Sequence, residues 1–185
     1  KNHKVKMVSF AQIGFQEHSP KMIGNAPVLI NWYWEHHGVT EQIGKIKEFM
    51  ENIKYQGFAE FDMKYDARDG KYKVMEINAT QGRNSYYVVP CGCNLVETLA
   101  KDLIYNEELE YRVLEKQGLE TFVPKFIVKK YIVNEKYKEK VLSMWKDRVN
   151  PLEYRKDNGI LRFLMMLFIK LCCLREGLEN IVLCL

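Results

Sequence analysis

One stretch limits the possible folds of this chain more than any other. Gly57 to Tyr87, GFAEFDMKYDARDGKYKVMEINATQGRNSYY, reads as a single β-hairpin. Folding it about Asp69 in the DARDG turn sets Asp62 opposite Glu76 and Glu60 opposite Asn78. Side chains alternate along a strand, so Glu60, Asp62, Glu76 and Asn78 fall on one face and Phe61, Met63, Met75 and Ile77 on the other. Directly opposed carboxylates repel. At about 4 Å and an effective dielectric near 20, two unit charges cost roughly 4 kcal/mol before screening. A hard cation bound between them would remove that cost.

The ligand chemistry narrows the choice of cation. Two carboxylates and one amide oxygen, with no His or Cys nearby, form an all-oxygen set suited to Mg²⁺ or Mn²⁺ rather than zinc. Mg²⁺ commonly completes its shell with waters and substrate phosphates, so the pattern points to a metal–nucleotide site. The alternative is a solvated hairpin face on which Lys64 neutralises one carboxylate. A one-residue slip of register would also break the set apart.

The runs GFAEFDMKYD, DGKYKVMEIN and QGRNSYY resemble the carboxyl-terminal part of ATP-grasp enzymes, in particular carboxylate-amine ligases of the D-aspartate ligase type. The shared signature is an acidic residue on one strand, here Asp62, and Glu-x-Asn on the next, here Glu76-Ile77-Asn78, followed by a glycine loop. Close resemblance covers about residues 55–105, with weaker echoes in FQEHSPKMIGN before it and in the basic segment after Pro124. It implies a reaction in which ATP phosphorylates a carboxylate and an amine attacks the acylphosphate to give an amide. By that likeness Asp62, Glu76 and Asn78 would hold Mg²⁺ or Mn²⁺ bridging the ATP phosphates. Met75 would lie against the adenine, and Gly82 would let backbone approach the nucleotide. Arg83 would be the catalytic cation gripping the acylphosphate or the carboxylate. Asn84, Ser85 and Tyr86 would follow along the substrate side. The partners implied are ATP, an amino-acid carboxylate and an amine acceptor.

Two departures qualify the likeness. Such enzymes commonly carry an arginine two positions after the metal-binding asparagine, where this chain has Thr80. That residue shifts the burden to Arg83 or marks a different substrate or a weakened enzyme. The lysines that clamp the phosphates and the strand that bonds adenine are expected ahead of the hairpin, yet the chain starts at Lys1 and passes almost at once into KVKMVSFAQIGFQ. The expectation is an amino-terminally truncated piece. A catalytically weakened Mg–nucleotide-binding module is the alternative, with a basic polyanion-binding protein behind it.

Composition adds exclusions. A net charge of +4 is too mild to argue for nucleic acid, and the basic run KFIVKKYIVNEKYKEK reads as a solvated amphipathic helix pair. The five cysteines, at 91, 93, 172, 173 and 184, form no Cys-x-x-Cys pair, so neither a zinc module nor a disulfide framework is expected and a reduced cytoplasm fits. Cys91 and Cys93 read as buried, inert thiols. His36 and His37 are adjacent and point apart in a strand, while His3 and His18 have no catalytic context.

The sequence predicts an α+β chain: an ATP-grasp carboxyl-terminal subdomain, mostly antiparallel sheet with packed helices, over residues 1–106, and a helical extension over 107–185. Residues 4–17 and 27–34 look extended. Thr40 caps a helix carrying Ile43, Ile46, Met50 and Ile53, and residues 94–105 form another with Leu95, Leu99, Leu103 and Ile104 on one face. Pro124 starts a short helix through Ile132, and Glu135 to Val149 forms the next. ILRFLMMLFIKLCCL, residues 160–174, is apolar around most of its circumference but too short, with Arg162 and Lys170 inside it, to span a bilayer. A covering surface is expected there, either the missing half of the parent or a second copy.

Overall fold

The computed structural model describes residues 2–15, 26–31, 38–82, 84–153, 156 and 159–176, with the side chains of Phe15 and of residues 169–176 left aside. The strands are β1 (Met7–Val8), β2 (Gln12–Phe15), β3 (Val28–Asn31), β4 (Glu60–Asp66), β5 (Lys71–Asn78), β6 (Arg112–Val113) and β7 (Gly118–Thr121). The helices are α1 (Val39–Asn52), α2 (Leu95–Leu103), α3 (Lys125–Tyr131), α4 (Glu135–Ser143) and α5 (Ile160–Glu176). Short 3-10 turns lie at Tyr86–Val88 and Trp145–Asp147. The chain is thus mixed α and β, and its pairing is antiparallel except between β1 and β6, as an α+β fold requires.

The centre is a three-stranded sheet in the order β2-β3-β7. Every residue of β3 and β7 is buried. Register decides which face each side chain takes: Val28 pairs with Thr121, Leu29 with Glu120, Ile30 with Leu119, and Asn31 with Gly118. Val28, Ile30 and Leu119 therefore share one face, and α3 and α4 close over it with Ile127, Val128, Tyr137 and Val141. Tyr137 donates to the Gln12 carbonyl at 3.0 Å, and its ring lies where a side chain on Gly14 would stand. The opposite face carries Leu29, Asn31, Gly118 and Glu120, and it is polar.

The basic run folds as the predicted helix pair, its apolar side in the core and Lys125, Lys129, Lys130 and Lys136 outside. Pro124 holds the N-cap position of α3, as predicted. Elsewhere the boundaries differ. Thr40 lies inside the first turn of α1, and Gly38, at φ +78°, takes the cap position with no side-chain hydrogen bond. Side-chain caps form at Asn94, whose Oδ1 accepts the N–H groups of Val96 and Glu97 at 3.1 and 3.2 Å, and at Asn134, whose Oδ1 accepts Tyr137 N–H at 2.9 Å. On α2 only Leu95 is buried, and Leu103 and Ile104 stand in solvent. The helix predicted over 135–149 ends at Ser143, and the chain turns back so that Val149 bridges to β7.

Strands also continue past residue 106: β6 pairs with β1 and β7 with β3, so the helical part begins only at α3. Helix α5 forms where predicted, and Ile160, Leu161, Phe163 and Phe168 along it are exposed. Among the described residues no helix is long and apolar enough to cross a membrane.

Candidate functional site: an acidic hairpin and the loop behind it

Strands β4 and β5 form the hairpin, and its register matches the reading at the open end: Glu60 faces Asn78, Phe61 faces Ile77, and Asp62 faces Glu76. The next pair is Met63 with Val74, so Met75 is an extra residue in a β-bulge. Met75 was expected on the apolar face with Phe61 and Met63. Instead Val74 and Tyr72 take that face, and Met75 is 70% exposed. The apolar side docks through Tyr72 into a small cluster with Phe10, Val39 and Ile43, where the Phe10 and Tyr72 rings meet edge-on at 6.1 Å.

Asp62 and Glu76 are exposed and Asn78 is half-buried. No hydrogen bond or ion pair reaches the side chain of any of the three among the described residues. Lys64 does not neutralise them; it faces Lys73 across the ladder, and Lys73 is paired with Asp69 at the turn. Among the described residues the acidic end of the hairpin is therefore uncompensated. Glu60 registers this electrostatically: burial raises its carboxyl above the ordinary range, and the negative charges of Asp62 and Glu76 raise it further.

No three His, Cys, Asp or Glu side chains among the described residues gather as a metal-holding group. The set read from the sequence is two carboxylates and an amide. It fits a hard divalent cation by donor chemistry, because all its donors are oxygens and two are unpartnered carboxylates facing each other. Such an ion, when bound, would neutralise charge and orient phosphate oxygens.

Behind the hairpin runs the loop predicted to meet substrate. The Glu60 carboxylate packs directly over Gly82, in the space a side chain there would fill, so a larger residue would displace that carboxylate. Arg83, the predicted catalytic cation, lies outside the described residues. Asn84 and Ser85 are half-buried and Tyr86 is exposed. The Ser85 hydroxyl accepts from Gln81 Nε2 at 3.0 Å.

After Tyr86 the chain is fixed against the polar face of the central sheet. Asn31 Nδ2 donates to the Leu114 carbonyl at 2.6 Å and to Cys91 Sγ at 3.4 Å. Cys91 Sγ in turn donates to the Tyr87 carbonyl at 3.2 Å. A side chain on Gly118 would meet Cys91 Sγ, Pro90 Cγ and the Tyr87 carbonyl within 3.0 Å, so glycine is what lets the segment lie this close. The Tyr87 and Ser9 hydroxyls are 2.7 Å apart, and burial holds the Tyr87 phenol well above its ordinary range. Cys91 and Cys93 are buried free thiols, as predicted, and burial raises the Cys91 thiol.

One residue here was not singled out from the sequence. Glu120 on β7 is 3% exposed, on the sheet face that meets the Tyr86–Val88 turn. Burial pushes its carboxyl up to about 7, against a lowering effect of the Tyr87 and Tyr86 backbone amides. Its Oε2 has no partner among the described residues. The available signal was a single acid inside the otherwise uncharged strand GLET.

The chain is similar to the D-aspartate ligase of Enterococcus faecium (strain Aus0004), 37% identical over 172 residues. The match takes in 89% of this chain and 40% of that ligase. The likeness to the D-aspartate ligase type therefore reaches well beyond residues 55–105, across most of the chain. No family model matches the chain, and no solved structure matches it.

Proposed function

We propose that this chain carries the metal- and phosphate-binding part of an ATP-dependent carboxylate-amine ligase of the ATP-grasp kind. The observation that carries the reading is the hairpin: Asp62 and Glu76 face each other, uncompensated, beside Asn78, in a chain similar to a D-aspartate ligase over most of its length. ATP is the nucleotide, Mg²⁺ or Mn²⁺ the ion, an amino acid the source of the carboxylate, and an amine the acceptor.

In this reading each group of the chain has a positional task. Asp62, Glu76 and Asn78 would hold the ion, which would supply charge neutralisation at the phosphates. Glu60 keeps its carboxylate on Gly82 and so fixes where the following loop leaves the hairpin. Arg83, always protonated, offers paired N–H donors to the oxyanion of the carboxylate or acylphosphate. The loop through Asn84 and Ser85 orients the amino acid for attack. Phosphoryl transfer depends chiefly on such positioning, so small errors in the loop would be costly in rate. A division between this part and a helical extension that begins at α3, and the partner surface on α5, belong to the same proposal.

A nucleotide-binding module without turnover is the second reading, favoured by Thr80 where an arginine is common. Phosphorus relaxation of ATP with Mn²⁺ tests the shared premise. Wild-type chain should enhance it and Glu76→Ala should not; equal enhancement by both would remove the hairpin from the site. Thr80→Arg, if it raises phosphate release in the ligase that contains this chain, favours the second reading.

A further inference from the structure

Helix α5 reverses the usual pattern of a surface helix. Over Ile160 to Phe168 its half-buried side chains are Arg162 and, one turn on, Met166. Ile160, Leu161, Phe163, Leu164, Met165 and Phe168 are each more than half exposed. Arg162 Nη2 donates to the Leu152 carbonyl at 2.7 Å, so a charged side chain ties the helix to the segment before it. Leu161, Leu164, Met165 and Phe168 fall at i, i+3, i+4 and i+7 and form one stripe, turned away from Arg162 and Met166. A contiguous apolar stripe in water marks an interaction surface. We propose that α5 docks on an anionic lipid bilayer, lying in the headgroup layer with this stripe toward the acyl chains. The proposal names the partner of that surface and is independent of the chemistry assigned to the hairpin, since vesicle binding is read without nucleotide or metal.

Charge selects the occupant. From Ile160 to Arg175 the helix sequence carries Arg162, Lys170 and Arg175 and no acid. The imbalance extends to the chain before it: residues 125–175 hold thirteen Lys and Arg against five Asp and Glu, whereas residues 1–124 hold fifteen against seventeen. Lys125, Lys129, Lys130, Lys146, Arg148 and Lys156 are all exposed. A basic segment that carries an exposed apolar helix has the chemistry of an interfacial helix, in which the apolar stripe inserts and the cations meet anionic headgroups. Each cation within a Debye length of the surface adds to the attraction.

Length fixes the mode of binding. The 17 residues of α5 span about 25 Å at the α-helical rise, less than the hydrocarbon core of a bilayer, so the helix lies on the membrane rather than across it. A second copy of the chain fits the stripe less well. Two α5 helices packed about a two-fold axis would set Arg162, Lys170 and Arg175 of one against the same cations of the other, with no acid before Glu176 to compensate.

The experiment is flotation of the 185-residue chain with vesicles of phosphatidylglycerol and phosphatidylcholine in equal amounts, and with vesicles of phosphatidylcholine alone. Wild type should bind the anionic vesicles about tenfold or more tightly than the neutral ones, and high salt should remove most of that difference. Leu164→Ser with Phe168→Ser should lower binding to the anionic vesicles by about tenfold or more, because both side chains leave the stripe. Lys146→Glu with Lys156→Glu should lower it by about tenfold or more and leave the weak binding to neutral vesicles unchanged. All four positions are exposed, so the urea midpoint of each double variant should match wild type and show that the fold is intact. Absence of vesicle binding, equal binding to both lipids, or binding that survives Leu164→Ser with Phe168→Ser overturns the proposal. Sedimentation supplies the competing outcome: a wild-type dimer that becomes monomeric in that variant, with no vesicle binding by either, makes α5 a contact between copies and overturns the proposal as well.

Discussion

The β4–β5 hairpin and the β2-β3-β7 sheet are built from similar numbers of apolar residues and use them in opposite ways. In the sheet every residue of β3 and β7 is buried, and α3 and α4 seal one face. In the hairpin Val74, Met75 and Ile77 are all exposed, and the acidic face lies open to solvent. The sheet's charged residue is a single buried carboxylate, Glu120; the hairpin carries exposed carboxylates at its open end and lysines toward its turn. Stability therefore concentrates in the sheet, and unused binding capacity concentrates in the hairpin. The described residues between Gly82 and Cys93 join the two, against the Glu60 carboxylate at Gly82 and against Asn31 and Gly118 of the sheet at Cys91.

Core truncation should show this contrast most strongly. Ile30→Ala removes a fully buried side chain between β2 and β7 and should cost about 2–5 kcal/mol in denaturant unfolding. Ile77→Ala, at a half-exposed hairpin position, should cost under about 1 kcal/mol. Equal costs would show the hairpin to be as much a part of the core as the sheet.

The buried acid sets the next effect. The folded Glu120 pKa of about 7 lies above its ordinary 4.5, so the folded state holds a proton that the unfolded state has lost between those values. The contribution is fully present below about 4.5 and is lost as pH rises through about 7, a fall of about 3 kcal/mol. Glu120→Gln should flatten the stability profile across that window, as urea midpoints at a series of pH values would show. A profile of unchanged slope would mean that Glu120 is more hydrated than its burial indicates.

Smaller effects follow at the helix ends. Asn94→Ala should cost about 1 kcal/mol through the loss of the α2 cap. Thr40→Ala should cost less, because Gly38 and not Thr40 holds the N-cap of α1. Thermal unfolding of the two variants side by side checks the order. In the hairpin, Glu76→Gln should stabilise the metal-free chain slightly by relieving repulsion from Asp62, and the gain should vanish at high salt.

How much of this could be read from the residues alone depended on solvent. The hairpin's open end was legible because one face meets water and the other does not, so alternation fixed Asp62 against Glu76. The bulge was legible in principle: Tyr72 and Val74 share one parity, Ile77 has the other, and the change falls at Met75. A uniform alternation was assumed across it, and Met75 was misplaced. The central strands gave no such pattern. VLIN and GLET are buried on both faces, so nothing in their order distinguishes the face that meets α3 and α4 from the one that holds Glu120. Helix ends were misjudged where a glycine replaced an expected side-chain cap at Gly38, and where the chain left the helix at Ser143 to bridge β7.

The most direct test of the contrast is paramagnetic relaxation by Mn²⁺ mapped over the backbone amides of the chain, in wild type and in Glu76→Ala. Broadening should centre on residues 60–62 and 76–78, spare Val28–Asn31 and Gly118–Thr121, and disappear in Glu76→Ala with the sheet amides unmoved. Broadening centred away from the hairpin, or retained in Glu76→Ala, would contradict the assignment of the acidic hairpin as the metal-binding element.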